Sequence, residues 1–158
     1  MKRYGFMLLA LALLAGSCQQ AEQTPCDPAI PTLQAPQAEI TALKKYIDSS
    51  GISAMADGRG FYYSIQAPGT GTKPTLCSAV TVNYVGKLTN GTTFDSSKNI
   101  TFGLNQLIVG WQEGIPLIAP GGSITLYLPP SLAYGAQALN GIPANSILVF
   151  TIDLIQSN

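Results

Sequence analysis

The stretch Leu107-Ile108-Val109-Gly110-Trp111-Gln112-Glu113-Gly114-Ile115 can form no more than about two turns of helix, because Gly114 and then Pro116 stop it. Its apolar residues at 107, 108, 111 and 115 follow the i, i+1, i+4, i+8 spacing of one helical face. A helix this short is unstable alone in water. It must lie against something, and the patterns on both sides of it are strands. Trp111 is the chain's single tryptophan. Two readings fit it: a core residue on the helix's inner face, or the floor of a small apolar pocket with Ile108 on its wall. Spacing does not separate them.

The strands are read from alternation. Phe61-Tyr62-Tyr63-Ser64-Ile65 has strand composition and is followed by the turn Pro68-Gly69-Thr70-Gly71. Val80, Val82 and Tyr84 alternate with Thr81 and Asn83, and Ile124, Leu126 and Leu128 with Ser123, Thr125 and Tyr127. Asn90-Gly91 marks a hairpin between Val85-Gly86-Lys87-Leu88 and Thr92-Thr93-Phe94-Asp95. Ile100 and Phe102 lead into the short helix, and a last strand runs over 147–155. One tight hairpin and no βαβ repeat predict an α+β fold with a mostly antiparallel sheet.

The N-terminus points to export. Lys2 and Arg3 precede an apolar run over 6–15, far short of the roughly 20 residues that span a bilayer. Ala15-Gly16-Ser17-Cys18 is similar to a bacterial lipobox, which predicts a lipoprotein signal peptide over 1–17 and a lipidated Cys18. Residues 18–36, with Pro25, Pro28, Pro31 and Pro36 and no periodicity, read as a tether. Residues 37–52 read as an amphipathic helix with Ile40, Leu43 and Ile47 on one face and Gly51 as its stop, packed on its own domain or on a partner. A domain over 61–158 follows. Cys26 and Cys77 remain in an oxidising compartment, to pair with each other or to stand as two free thiols.

Charge and composition then limit the chemistry. Eight basic residues balance eight acidic ones, which leaves no electrostatic footprint for nucleic acid. Histidine is absent, so Ser-His-Asp and Cys-His catalysis, imidazole bases and histidine-held zinc are all excluded. No metal and no cofactor is expected.

Five segments, in order, carry a resemblance. Val82-Asn83-Tyr84-Val85-Gly86-Lys87-Leu88, Asn90-Gly91-Thr92-Thr93-Phe94-Asp95-Ser96-Ser97, Gln106-Leu107-Ile108-Val109-Gly110-Trp111-Gln112-Glu113-Gly114, Leu128-Pro129-Pro130-Ser131-Leu132-Ala133-Tyr134-Gly135 and Ile142-Pro143-Ala144-Asn145 with Leu148-Val149-Phe150 resemble the FKBP-type peptidyl-prolyl cis-trans isomerases. The similarity covers about residues 61–155, and the helix and lipobox before it look like the lipoprotein members of Bacteroidetes. It implies a five- or six-stranded antiparallel sheet curled around the short helix, with the pocket between them. Carried over by position, Tyr84, Phe94, Asp95, Ile100, Leu107, Ile108, Trp111, Tyr134, Ile142 and Phe150 would line that pocket. The resemblance further implies that the Ile108 N–H and the Tyr134 phenol hold substrate carbonyls while Asp95 sits beside the twisting amide.

Prolyl-containing polypeptides are then the expected partners, macrolides the candidate inhibitors, and the membrane a partner through the lipid. The alternative is an FKBP-like chaperone or binding module with weak or lost catalysis. Two departures from the family stand out. Ala136-Gln137-Ala138-Leu139-Asn140 replaces a loop where many members have a histidine. The arginine that usually partners the acid is not visible, which leaves Lys98 or tyrosine hydroxyls to face Asp95.

Overall fold

The computed structural model describes residues 26–158. The expected signal peptide, Cys18 and the first part of the expected tether lie outside the described residues. Among the described residues, no helix is long and apolar enough to cross a membrane.

Six strands form one sheet: β1 Met55–Ala56, β2 Tyr62–Ala67, β3 Ala79–Leu88, β4 Thr93–Gly103, β5 Ser123–Leu128 and β6 Leu148–Ser157, in the order β1-β2-β5-β6-β3-β4. Every pairing is antiparallel. Alternation sets the inner face: Val80 and Val82 from β3, Ile124, Leu126 and Leu128 from β5, and Leu148, Phe150, Ile152 and Leu154 from β6 are buried together. The register matches Ile124 to Ile152, Leu126 to Phe150 and Leu128 to Leu148, so the two central strands stack their apolar residues in rows. Asn90-Gly91 makes the β3–β4 hairpin, with Gly91 at φ +85° and its N–H donated to the Leu88 carbonyl at 2.9 Å.

Helix α1, Gln37–Ser49, lies on the other face of the sheet. Its Leu43 and Ile47 are buried against Tyr127, with Tyr62 and Val149 beside them. The amphipathic helix is thus packed on its own domain. With α1 outside and the short helix inside, β5 is covered on both faces, and residues 124–128 are all buried although their sequence alternates.

The short helix α2 covers Val109–Gly114 and begins later than its apolar spacing predicts. A 3-10 turn at Leu104–Gln106 comes first, then Leu107 at ψ 171° and Ile108 at ψ 149° are extended. Leu107 and Ile108 are therefore not on a helix face, and a second 3-10 turn, Ile115–Leu117, continues the chain where Pro116 ends the regular helix. What seats α2 on the sheet is the absence of two side chains. A Cβ on Gly110 would stand 2.5 Å from Leu128 and one on Gly114 2.6 Å from Leu126, so the helix backbone rests directly on β5.

Residues 26–36 have no regular structure, as their prolines suggest, yet they lie against the domain. Cys26 is bonded to Cys77 in a disulfide. The Gln34 side-chain amide donates to the Gly58 carbonyl at 2.9 Å, the Ala35 N–H to the Arg59 carbonyl at 2.9 Å, and Ala35 is buried in the core.

The sheet has two edges. β1 is only two residues long. β4 is interrupted beside Lys98 by Asn99 at φ +52°, where the register to β3 shifts between Val82 and Tyr84.

Candidate functional site

Between α2 and the inner face of β3, β4 and β6 is a cavity of about 230 Å³ lined by Tyr84, Asp95, Phe102, Leu107, Ile108, Trp111, Tyr134 and Phe150. Each element supplies its part for a local reason. β3 turns Tyr84 to the same face as Val80 and Val82. The extended pair before α2 puts Leu107 and Ile108 on the wall. One residue into the helix, Gly110 lets α2 sit close enough to β5 that Trp111 becomes the floor.

Trp111 is 4% exposed and meets three rings edge-on, Tyr84 at 5.2 Å, Phe150 at 5.3 Å and Phe102 at 6.5 Å between centroids. Both readings of this tryptophan hold at once: it is a core residue and a pocket floor. Among the described residues its indole N–H has no partner. Nor, among the described residues, does the Ile108 N–H donate to any protein acceptor. The extended geometry at 107 and 108 leaves that donor outside the helix's own bonding pattern.

Polar groups are few. The Tyr84 hydroxyl donates to Asp95 Oδ2 at 2.7 Å. Burial first, and then the bond to Asp95, push the Tyr84 phenol up to about 12, and burial with the Asp95 charge raises that of Tyr134. Both phenols therefore remain protonated donors across neutral pH. Tyr134 stands in a loop closed by the Ala133 and Gly135 N–H groups on the Pro130 carbonyl, at 2.9 and 2.8 Å, and by the Asn145 N–H on the Gly135 carbonyl at 2.8 Å. Glu39 of α1 reaches the same loop, accepting the Ser131 N–H at 2.8 Å.

Seven of the ten residues expected at the pocket line it. Phe94, Ile100 and Ile142 do not: Phe94, partly buried, stands edge-on to Phe150 at 5.6 Å, Ile100 packs against the core and Ile142 is buried in it. Ile142 is drawn inward because Leu139 and Ile142 exchange backbone bonds of 2.9 and 3.0 Å that fold the loop tip over. Phe102, which is not among the residues the resemblance implies, also lines the cavity. Its place two residues after Ile100 on the same strand is the signal that finds it. Lys98 is not the partner of Asp95; it lies in a groove with Asn83 and Asp153 on the opposite face of the sheet.

One buried acid adjoins the site. Glu113, two residues after Trp111, is fully buried, and among the described residues neither carboxyl oxygen is hydrogen-bonded. Arg59 Nε is 3.9 Å from it but is committed to Asp57, which takes Nε at 2.7 Å and Nη2 at 2.9 Å. Burial chiefly pushes the Glu113 carboxyl up from 4.5 to about 7, against the pull of Arg59 and with the help of Asp57. The folded chain thus holds this proton more tightly than the unfolded one. Its contribution to stability is complete below the ordinary value of 4.5 and is lost as pH rises through 7. Asp57 works in a separate, acid window: the Arg59 bond lowers its pKa, so its contribution is lost only as pH falls through that lowered value. Thermal melts should show Tm falling between about pH 5 and about pH 7.5, and Glu113→Gln should flatten that slope. A slope unchanged in the glutamine variant would assign it to another group.

Comparison with known proteins gives one family. The profile of the FKBP-type peptidyl-prolyl cis-trans isomerases matches residues 70–155. The chain is 45% identical over 118 residues to the FKBP-type peptidyl-prolyl cis-trans isomerase FkpA of Buchnera aphidicola subsp. Schizaphis graminum, covering 72% of this chain and 46% of the relative. To the peptidyl-prolyl cis-trans isomerase Mip of Coxiella burnetii it is 42% identical over 124 residues, 75% of this chain and 52% of the relative. The chain spans about half the length of these curated relatives. The crystal structure of FkpA from Escherichia coli aligns with a TM-score of 0.70 at 35% identity, over 77% of this chain and 60% of that one. A peptidyl-prolyl cis-trans isomerase structure from Pseudomonas syringae pv. tomato aligns with a TM-score of 0.68 at 32% identity, over 79% of this chain and 98% of that one.

Proposed function

The chain belongs to the FKBP-type peptidyl-prolyl cis-trans isomerase family, and from that premise we propose that it isomerises X-Pro bonds of exported polypeptides at the cell envelope, held there by a lipid on Cys18. The carrying observation is the cavity itself: an aromatic and aliphatic chamber with one carboxylate, two phenols and a spare backbone N–H around it. Rotating an X-Pro bond requires the amide to lose its resonance, against a barrier of about 18–20 kcal/mol. No proton or nucleophile is consumed. An apolar chamber that takes the pyrrolidine ring favours the twisted amide, because its carbonyl is less polar than the planar one and loses less on leaving water. In this reading Trp111, Phe102 and Phe150 enclose the ring, the Ile108 N–H and Tyr134 hydroxyl hold flanking carbonyls, and Asp95, fixed by Tyr84, faces the amide. A macrolide inhibitor would compete for the same chamber.

The test is isomerisation of a prolyl tetrapeptide. Asp95→Ala and Tyr134→Phe should each lower kcat/KM about tenfold, the worth of one hydrogen bond of about 1–1.5 kcal/mol, with the fold retained by circular dichroism. Variants as active as the wild type would place the site elsewhere, and a folded wild type that leaves the peptide at its uncatalysed rate would favour the binding-module alternative. The anchor is tested separately. Cys18→Ser should move the protein from the membrane fraction to the soluble envelope fraction, and failure of labelled fatty acid to enter the wild type would remove the lipid from the proposal.

A further inference from the structure

We infer that the pocket selects prolyl segments carrying lysine or arginine beside the proline, through the unneutralised carboxylate of Asp95. This rests on the isomerase reading and adds a substrate class to it. Asp95 is the one charged residue on a lining that is otherwise aromatic and aliphatic. It is exposed at the mouth and takes one protein hydrogen bond, from the Tyr84 hydroxyl to Oδ2. That donor is neutral and brings no counter-charge, and among the described residues Oδ1 takes no hydrogen bond.

Strand geometry keeps Lys87 and Lys98 away. Among the described residues the ion pairs join Lys44 to Asp48 and Arg59 to Asp57 and Glu113, and none reaches Asp95. Asp95 pairs with Gly86, where an added Cβ would meet Phe94 and Phe150 on the pocket side. Lys87 is next along β3 but pairs with Val149, which packs under α1 on the outer face. Lys98 is on that outer face too. The chain as a whole sums to zero charge, yet this mouth carries a whole negative one. Apolar walls on one side concentrate its field toward the bound segment. A cation beside the proline gains from that field and an anion loses by a similar amount, so the contrast between them is about doubled.

The experiment uses the full chain with two tetrapeptide series, carrying lysine, glutamine or glutamate either just before or just after the proline. At about 20 mM salt the lysine peptide should exceed the glutamate peptide in kcat/KM by roughly five- to tenfold in at least one series, as expected for a partly exposed unit charge several ångströms away. At about 0.5 M salt, where screening acts within a few ångströms, the ratio should fall below about twofold. Asp95→Asn keeps an acceptor for Tyr84; it should lower turnover of all three peptides and bring the ratio to about one, whereas Lys98→Gln should leave the ratio as in the wild type. Equal rates for lysine and glutamate in both series at low salt overturn the inference, and so does a preference that survives in Asp95→Asn. Should no peptide be turned over, the isomerase reading fails by itself and calorimetric affinities decide the charge preference: tighter binding of the lysine peptide upholds it, and equal or absent binding overturns it.

Discussion

Trp111→Ala is expected to remove about 3–5 kcal/mol of stability and essentially all pocket function. The ring is 4% exposed and is the common neighbour of Tyr84, Phe102 and Phe150, so its deletion leaves a hole under three aromatic edges at once. Edge-to-face contacts of this kind contribute about 0.5–1.5 kcal/mol each beyond the area they bury. Among the described residues the Trp111 N–H has no acceptor, which makes Trp111→Phe informative. That change forfeits volume but no hydrogen bond, and should cost less than half as much as alanine. Urea denaturation of the two variants beside the wild type measures both. An alanine variant within about 1 kcal/mol of the wild type would mean that the cavity collapses around the gap, and that the ring is not what keeps the chamber open.

The second large effect belongs to the disulfide. Cys26 and Cys77 are 51 residues apart in sequence, and cross-linking a loop of that length restricts the unfolded chain by about 4 kcal/mol in the chain-entropy treatment. Reduction, or Cys26→Ser with Cys77→Ser, should therefore lower Tm by on the order of 10 °C. It should also loosen the segment before α1, where the Gln34 and Ala35 bonds to Gly58 and Arg59 would then hold the chain alone. Proteolysis at 27–33 in the reduced protein, and its absence in the oxidised one, is the local readout. Two titratable thiols in the native protein, or a melt indifferent to reductant, would contradict the bond.

How far these features could be read from sequence depended on whether their cause was local. Alternation at Val80-Val82-Tyr84 and at Ile124-Leu126-Leu128 reports which face is buried, and Asn90-Gly91 reports a turn whose backbone needs a positive φ; all of this is decided within a few residues. The start of α2 was not. Leu107 and Ile108 fit the spacing of a helical face, but an apolar residue just before a helix leaves the same trace as one inside it, and here both are extended pocket walls. Residues 26–36 looked like a tether because prolines suppress periodicity, while what holds them is contact with residues 58, 59 and 77, far along the chain. Glu113 reads in sequence as an ordinary polar position on a short helix. Only the packing of Gly110 and Gly114 onto β5 turns it inward. Phe94, Ile100 and Ile142, which the resemblance puts at the pocket, are not among the residues that line the cavity; Ile142 is turned in by the folded loop tip at Leu139, a contact between residues that alternation does not report.

The ends of the sheet bear on what such a protein can safely handle. A helper that meets unfolded, extended chains is surrounded by partners able to add themselves as an extra strand to any open ladder. On one side the ladder here stops after the two residues of β1, and on the other a left-handed Asn99 beside the charged Lys98 breaks the row of free backbone groups on β4. Neither side offers a long flat template. In the proposed role a client chain would have little to zip onto along the rim, and its hold on the protein would be confined to the chamber over Trp111.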